Sequence, residues 1–133
     1  MIKLNWSHLP LCIFLLGCSV KSGNEIDFLF QEIMDAHDEV MPKMEKIRNL
    51  EKQFRSAALS SPDSSELIRQ AEILSNANEA MMIWMRDFNS NFQGSDLEKK
   101  EYLLVQKMEL YQVKELMNAG ILQGEKLVRS AIN

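Results

Sequence analysis

Residues 25–59 read EIDFLFQEIMDAHDEVMPKMEKIRNLEKQFRSAAL, and this stretch decides the fold. Steps of four and three lead through Ile26, Phe30, Ile33, His37, Val40, Met44, Ile47, Glu51 and Phe54. Such spacing keeps one line of side chains on one face of an α-helix, and as a heptad pattern it is the seam of a coiled coil. Met34 and Met41 widen the seam on one side, as a helix packed into a globular core requires. Pro42 lies within the run, where it removes one backbone donor and crowds the preceding turn. The seam keeps its phase through Pro42, which falls on the outer face. The pattern therefore predicts one helix bent around the core rather than two helices.

Downstream, Ser60-Ser61-Pro62 stops this helix. Asp63 and Glu66 have the spacing of a capping box, which predicts a second helix over 63–92. Its seam is Leu67, Ala71, Leu74, Asn78, Met81, Met85, Phe88 and Phe92. A polar turn follows. Ser95 with Glu98 forms a second capping box, and a third helix is predicted over 96–132. Leu103, Gln106, Leu110, Val113, Met117, Gly120, Gly124, Leu127 and Ala131 form its seam. Short connections make sequential helices antiparallel neighbours. The predicted fold is all-α, an elongated up-down-up three-helix bundle of coiled-coil character. Gly120 and Gly124 on the third seam imply a close approach to Ile47, Leu50 and Leu74.

Upstream, Lys3 and the apolar run Leu9 to Leu16 have the form of a signal peptide over residues 1–17. The run is too short to span a bilayer, which needs about 20 apolar residues. Leu15-Leu16-Gly17-Cys18 resembles the lipobox of bacterial lipoproteins. That resemblance implies cleavage before Cys18, a lipid on its sulfur and an acylated new N-terminus, palmitate being a typical chain. Ser19, rather than Asp, implies outer-membrane rather than inner-membrane retention. Residues 18–24 read as the lipidated cysteine and a flexible tether, and the helical body is expected to hang from a membrane through that lipid.

The chain has 133 residues, enough for one small domain. Its 46% apolar and 26% charged composition suits a folded domain. The net charge of −4, with Lys and Arg interleaved among Asp and Glu, argues against a nucleic-acid partner. Both cysteines, Cys12 and Cys18, lie ahead of the body, which therefore holds no disulfide and no cysteine-based metal site. No Gly-x-Ser-x-Gly elbow, phosphate loop or His-Glu-x-x-His motif occurs, so no catalysis is expected.

One constellation has the residue types for chemistry. Met34, His37, Met41 and Met44 share a face of the first helix, and an antiparallel hairpin sets residue 37 level with about residue 84. Met81 and Met85 then lie opposite. Thioether and imidazole ligands suit Cu(I), or haem iron with His and Met axial ligands. Met also fills irregular cores, and a single inward His pairs with a nearby polar side chain, here Gln106 or Asn78. Packing is the favoured role and no cofactor is expected, with soft-metal or haem binding as the alternative. A surface for self-association or for an envelope partner is expected at Ile83, Trp84, Leu97, Leu104, Met108 and Tyr111, which fall outside the seams.

The body as a whole resembles a group of small helical bacterial lipoproteins, some of them labelled "viral A-type inclusion protein". The resemblance rests on His37-Asp38-Glu39-Val40-Met41-Pro42-Lys43-Met44 and on Met81-Met82-Ile83-Trp84-Met85-Arg86-Asp87-Phe88. It implies an envelope lipoprotein with a structural or interaction role and brings no activity or site.

Overall fold

The computed structural model describes residues 22–62 and 64–132. The signal segment, Cys18, the first part of the tether and Asp63 of the first expected capping box lie outside the described residues. Three helices are present: α1 Ser22–Ala58, α2 Ser65–Asp87 and α3 Asp96–Ile132. Each packs against the other two, so the fold is an all-α three-helix bundle.

Helix α1 runs unbroken through Pro42, which is exposed while Val40 and Met44 on either side of it are buried. It begins three residues earlier than the expected start at Glu25, so Ser22, Gly23 and Asn24 belong to the helix rather than to a tether. Glu25 favours a helix start here. Its carboxylate lies in the first turn, where it complements the helix dipole, and it pairs with Lys100 at 2.7 Å.

Helix α2 ends at Asp87, five residues short of the expected Phe92. The aromatic residues past it have better partners elsewhere. Phe88 turns to extended backbone while its N–H still donates to the Trp84 carbonyl at 2.9 Å. Phe92 stacks on Tyr102 at 4.5 Å, and the Asn89 N–H donates to the Tyr102 hydroxyl at 2.6 Å. Tyr102 thus gathers the α2–α3 connection onto the start of α3. Ser64 is the α2 cap residue and makes no side-chain cap bond. At α3 the Ser95–Glu98 capping box forms: the Ser95 N–H and hydroxyl both donate to Glu98 Oε2 at 2.7 Å.

The core joins Ile33, Val40, Ile47 and Phe54 of α1 to Leu74 and Met81 of α2 and to Leu110 and Met117 of α3. These are seam positions. The buried band is wider than the seam, because each helix covers two neighbours. On α2 it takes in Gln70, Ala77 and Trp84, seven residues apart, along the flank that meets α3.

Cross-helix contacts fix directions and levels. Phe30 meets Phe88 at 6.2 Å and His37 meets Trp84 at 6.1 Å, so α1 and α2 are antiparallel. Gln70 Nε2 donates to the Gly120 carbonyl at 3.0 Å, and Trp84 Nε1 to the Gln106 carbonyl at 3.2 Å, so α2 and α3 are antiparallel as well. The up-down-up path leaves α1 and α3 parallel. Along that seam runs a ladder of ion pairs, Glu25–Lys100, Glu32–Lys107 and Glu39–Lys114, rising one heptad per rung on both helices. The last rung, Lys46–Glu125, has the opposite polarity. A one-heptad slip that set Lys114 level with Lys46 would oppose two ammonium groups, so the inversion disfavours that slip.

The ladder and the α3 cap set a pH dependence. Lys114 and then Lys43 hold the Glu39 carboxyl below its ordinary 4.5, Lys46 does so for Glu125, and the Ser95 hydroxyl and N–H do so for Glu98. A carboxylate lowered in the folded state contributes stability that is complete above its ordinary value and is lost as pH falls through the folded value. Urea midpoints are therefore expected to hold steady down to about pH 5 and to decline toward about pH 3. Added salt should shrink the part due to Glu39 and Glu125, which face ammonium groups, more than the part due to Glu98. A midpoint that stays flat to about pH 3 would contradict this assignment.

Candidate functional site

The His/Met cluster occupies the middle of the bundle. Met44 and Met81 are buried in the core, while Met34, Met41 and Met85 pack on its edge. The His37 side chain is 25% exposed, and its Nδ1 lies 3.0 Å from the Asp38 carboxylate on its own helix. Its ring faces Trp84, tilted by 36°. Neither expected partner is engaged. The Gln106 amide donates to Glu109 at 2.9 Å, and Asn78 Oδ1 is buried without a hydrogen-bond partner. The Trp84 indole is a neighbour that α2 gives to His37, and the methionines belong to the apolar core or pack on its edge. Among the described residues, no group of three or more His, Cys, Asp or Glu side chains is placed to hold a metal ion.

Trp84 is not part of an exposed surface, contrary to expectation. It is 5% exposed, stacks on Phe88 at 4.9 Å and gives its N–H to the Gln106 carbonyl. A large ring whose one polar atom finds a backbone acceptor is buried readily. Helical phase alone set Trp84 beside the seam, and that flank proves to be the one that meets α3.

The other five expected surface residues are exposed, but they divide between two faces. Leu97, Leu104, Met108 and Tyr111 lie on α3 along the lysine side of the ladder. Leu104 sits between Lys100 and Lys107. Tyr111 carries the ammonium groups of Lys107 and Lys114 at 5.9 and 5.4 Å from its ring centre. The Phe92 ring, which the Tyr102 stack holds, leaves Leu97 65% exposed.

Ile83 faces the opposite way, into a groove between α2 and α3 of about 460 Å³. Ala80, Ile83, Trp84, Val113 and Leu116 give it an apolar floor. The rim is Asp87, Gln106, Glu109 and Gln112, so the lining holds two carboxylates and no cation. The sequence reading named Ile83 and Trp84 of this face and missed its α3 side. The signal on α3 was Glu109, Gln112 and Leu116, at steps of three and four, whose mixture of polar and apolar residues hides them in a hydropathy pattern.

Gly120 and Gly124 do approach α2 and α1 closely. A Cβ on Gly120 would lie 3.5 Å from Leu74, and one on Gly124 would lie 3.3 Å from the Phe54 ring. Gln70, fully buried, reaches the Gly120 carbonyl, and its Oε1 has no hydrogen-bond partner. Among the described residues, no helix is long and apolar enough to cross a membrane. Compared with family models, with curated proteins and with solved structures, the chain matches none.

Proposed function

We propose that the protein is a lipid-anchored helical body of a bacterial cell envelope, fixed to a membrane through Cys18, with a structural or protein-interaction role rather than a catalytic one. The observation that carries this reading is the Leu15-Leu16-Gly17-Cys18 motif, followed by a body without cysteine. The lipid supplies the attachment, since multiple acyl chains on one residue hold a protein on a bilayer without a spanning helix. Ser19 favours the outer membrane as the destination.

Helix α1 is described from Ser22, four residues after the proposed anchor at Cys18. Four residue steps reach at most about 14 Å. The bundle would then stand close to the lipid surface, at the end where α1 and α3 both begin. A 37-residue helix rises about 55 Å, which suits a spacer that displays its far end away from the membrane.

Metabolic labelling with a fatty acid tests the anchor. The wild-type chain is expected to take up label and to fractionate with membranes. Cys18→Ala is expected to lose the label. Label retained in Cys18→Ala, or no label in the wild type, would overturn the reading.

A further inference from the structure

We propose that the groove between α2 and α3 docks a basic amphipathic helix of a partner protein, with an apolar row on Ile83 and Leu116 and cations at Asp87 and Glu109. This inference rests on the interaction role proposed above and not on the lipid anchor, so fatty-acid labelling and the binding test below fail independently.

The sign of the groove follows from how α3 distributes its charges. Where α3 lines the groove, between residues 106 and 116, its cations are Lys107 and Lys114. Both are turned to α1 and bound there to Glu32 and Glu39. Glu109 meets no cation among the described residues and accepts the Gln106 amide at 2.9 Å. On the opposite wall, Asp87 is forked by the adjacent Arg86 at 2.9 and 3.4 Å. Both of those side chains are well exposed. Exposed pairs of this kind are worth little, so Asp87 stays open to a second cation. A carboxylate on each wall, with no cation in the lining, calls for positive charge in the occupant.

Shape commits the occupant further. Trp84 is level with Gln106 and Gln70 with Gly120, so Asp87 is level with residue 103. Leu116 lies thirteen residues beyond that level, about 20 Å along α3 at 1.5 Å per residue. A volume of about 460 Å³ drawn out over that length is a trough for one row of side chains. Four turns of helix cover the same distance and present such a row at i, i+4, i+7 and i+11. Ile83 and Leu116, 41% and 42% exposed, are apolar seats for it. Ala80 lies between their levels and offers only a methyl group, which leaves room for a large side chain. A second copy suits the site poorly, because the chain has a net charge of −4 and would bring the same two carboxylates to it.

The test is calorimetric titration of the full chain, carrying Cys18→Ala so that no lipid competes, with three synthetic four-turn helical peptides. The first has one row of leucines flanked by lysines. The second has glutamates in place of the lysines, and the third has serines in place of the leucines. The first is expected to bind, and the other two at least about tenfold more weakly. Glu109→Lys should lose the lysine peptide by a similar factor and gain the glutamate one. Ile83→Ser should weaken binding, whereas Leu104→Ser, on the other side of α3, should not. All three positions are exposed, so the bundle should keep its fold, which circular dichroism checks. Equal binding of the first peptide and either of the others overturns the proposal. No binding at all does so too, as does binding that Glu109→Lys or Ile83→Ser leaves unchanged. A chain that sediments as a dimer, which Ile83→Ser returns to monomer, would give the groove to a second copy and overturn it as well.

Discussion

Trp84→Ala is expected to destabilise the bundle by about 4 kcal/mol, within the range of about 3–5 kcal/mol typical of large aromatic truncations in cores. Three contacts go at once. The ring loses its stack on Phe88 at 4.9 Å and its face against His37 at 6.1 Å, and the indole N–H no longer reaches the Gln106 carbonyl. Phe88 also stands 6.3 Å from Tyr102, which holds the α2–α3 connection, so the gap lies beside the only turn between those helices. Domains of this size have about 5–15 kcal/mol in total, which makes the loss large enough to see directly in urea unfolding followed by circular dichroism. Trp84→Phe separates the contributions. It keeps a ring in the site and loses the N–H donor, for a cost nearer 1 kcal/mol. If the alanine variant cost no more than the phenylalanine one, the packing described for Trp84 would be wrong.

Gly124→Leu is the second large effect, at about 3 kcal/mol of destabilisation, toward the upper end of overpacking costs. A Cβ at this position already meets Phe54 at 3.3 Å and both Gln70 and Leu50 at 3.5 Å. The remaining leucine carbons have nowhere to go unless α3 moves away from α1 and α2. Gly120, one turn earlier, makes the opposite prediction. A Cβ there meets Leu74 at 3.5 Å and Ile73 at 3.7 Å, which are ordinary contacts. Gly120→Ala should therefore gain helix propensity worth up to about 1 kcal/mol without a clash. The two substitutions sit on adjacent turns of one seam and should shift the melting temperature in opposite directions. The same sign for both would mean that helix propensity or crowding alone governs this part of α3.

Much of the fold could be read from residues 25–59 because heptad phase survives any single irregularity, including Pro42. Capping chemistry was equally legible at Ser95 and Glu98, where two residues at fixed spacing determine the start of α3. The ends of helices were harder. Phe92 continues the α2 seam in phase, yet α2 stops at Asp87, because an aromatic partner on another helix competes for the ring. Tyr102 is ten residues further along the chain, and no local pattern announces that pairing. At the other boundary, Ser22 to Asn24 look like tether in composition and are helical in the fold.

The candidate sites show the same division. The antiparallel level of residues 37 and 84 followed from loop length alone, and His37 does meet Trp84. What could not be seen was which flank of each seam meets which neighbour. Helical phase gives an angle around one axis, and the handedness of the bundle decides what lies at that angle. Trp84 and Ile83 are adjacent in sequence and both lie beside the seam. One is in the core and the other lines an open groove. The Glu and Lys rungs were invisible for a related reason, since residues 75 apart can be matched only once the third helix is known to run parallel to the first.

That separation bears on how the bundle forms. A rung of the ladder joins residues with the whole of α2 between them, whereas the α1–α2 and α2–α3 contacts near the turns join residues much closer in sequence. Contacts that close small loops lose less chain entropy and form early, and those that close large ones wait. The two hairpin halves can therefore assemble on apolar contact alone, before Glu25, Glu32 and Glu39 meet their lysines. The charges then act as a proofreading step. They add little to the search, and they discriminate, at the last docking event, between a third helix seated in the right heptad and one seated a heptad away.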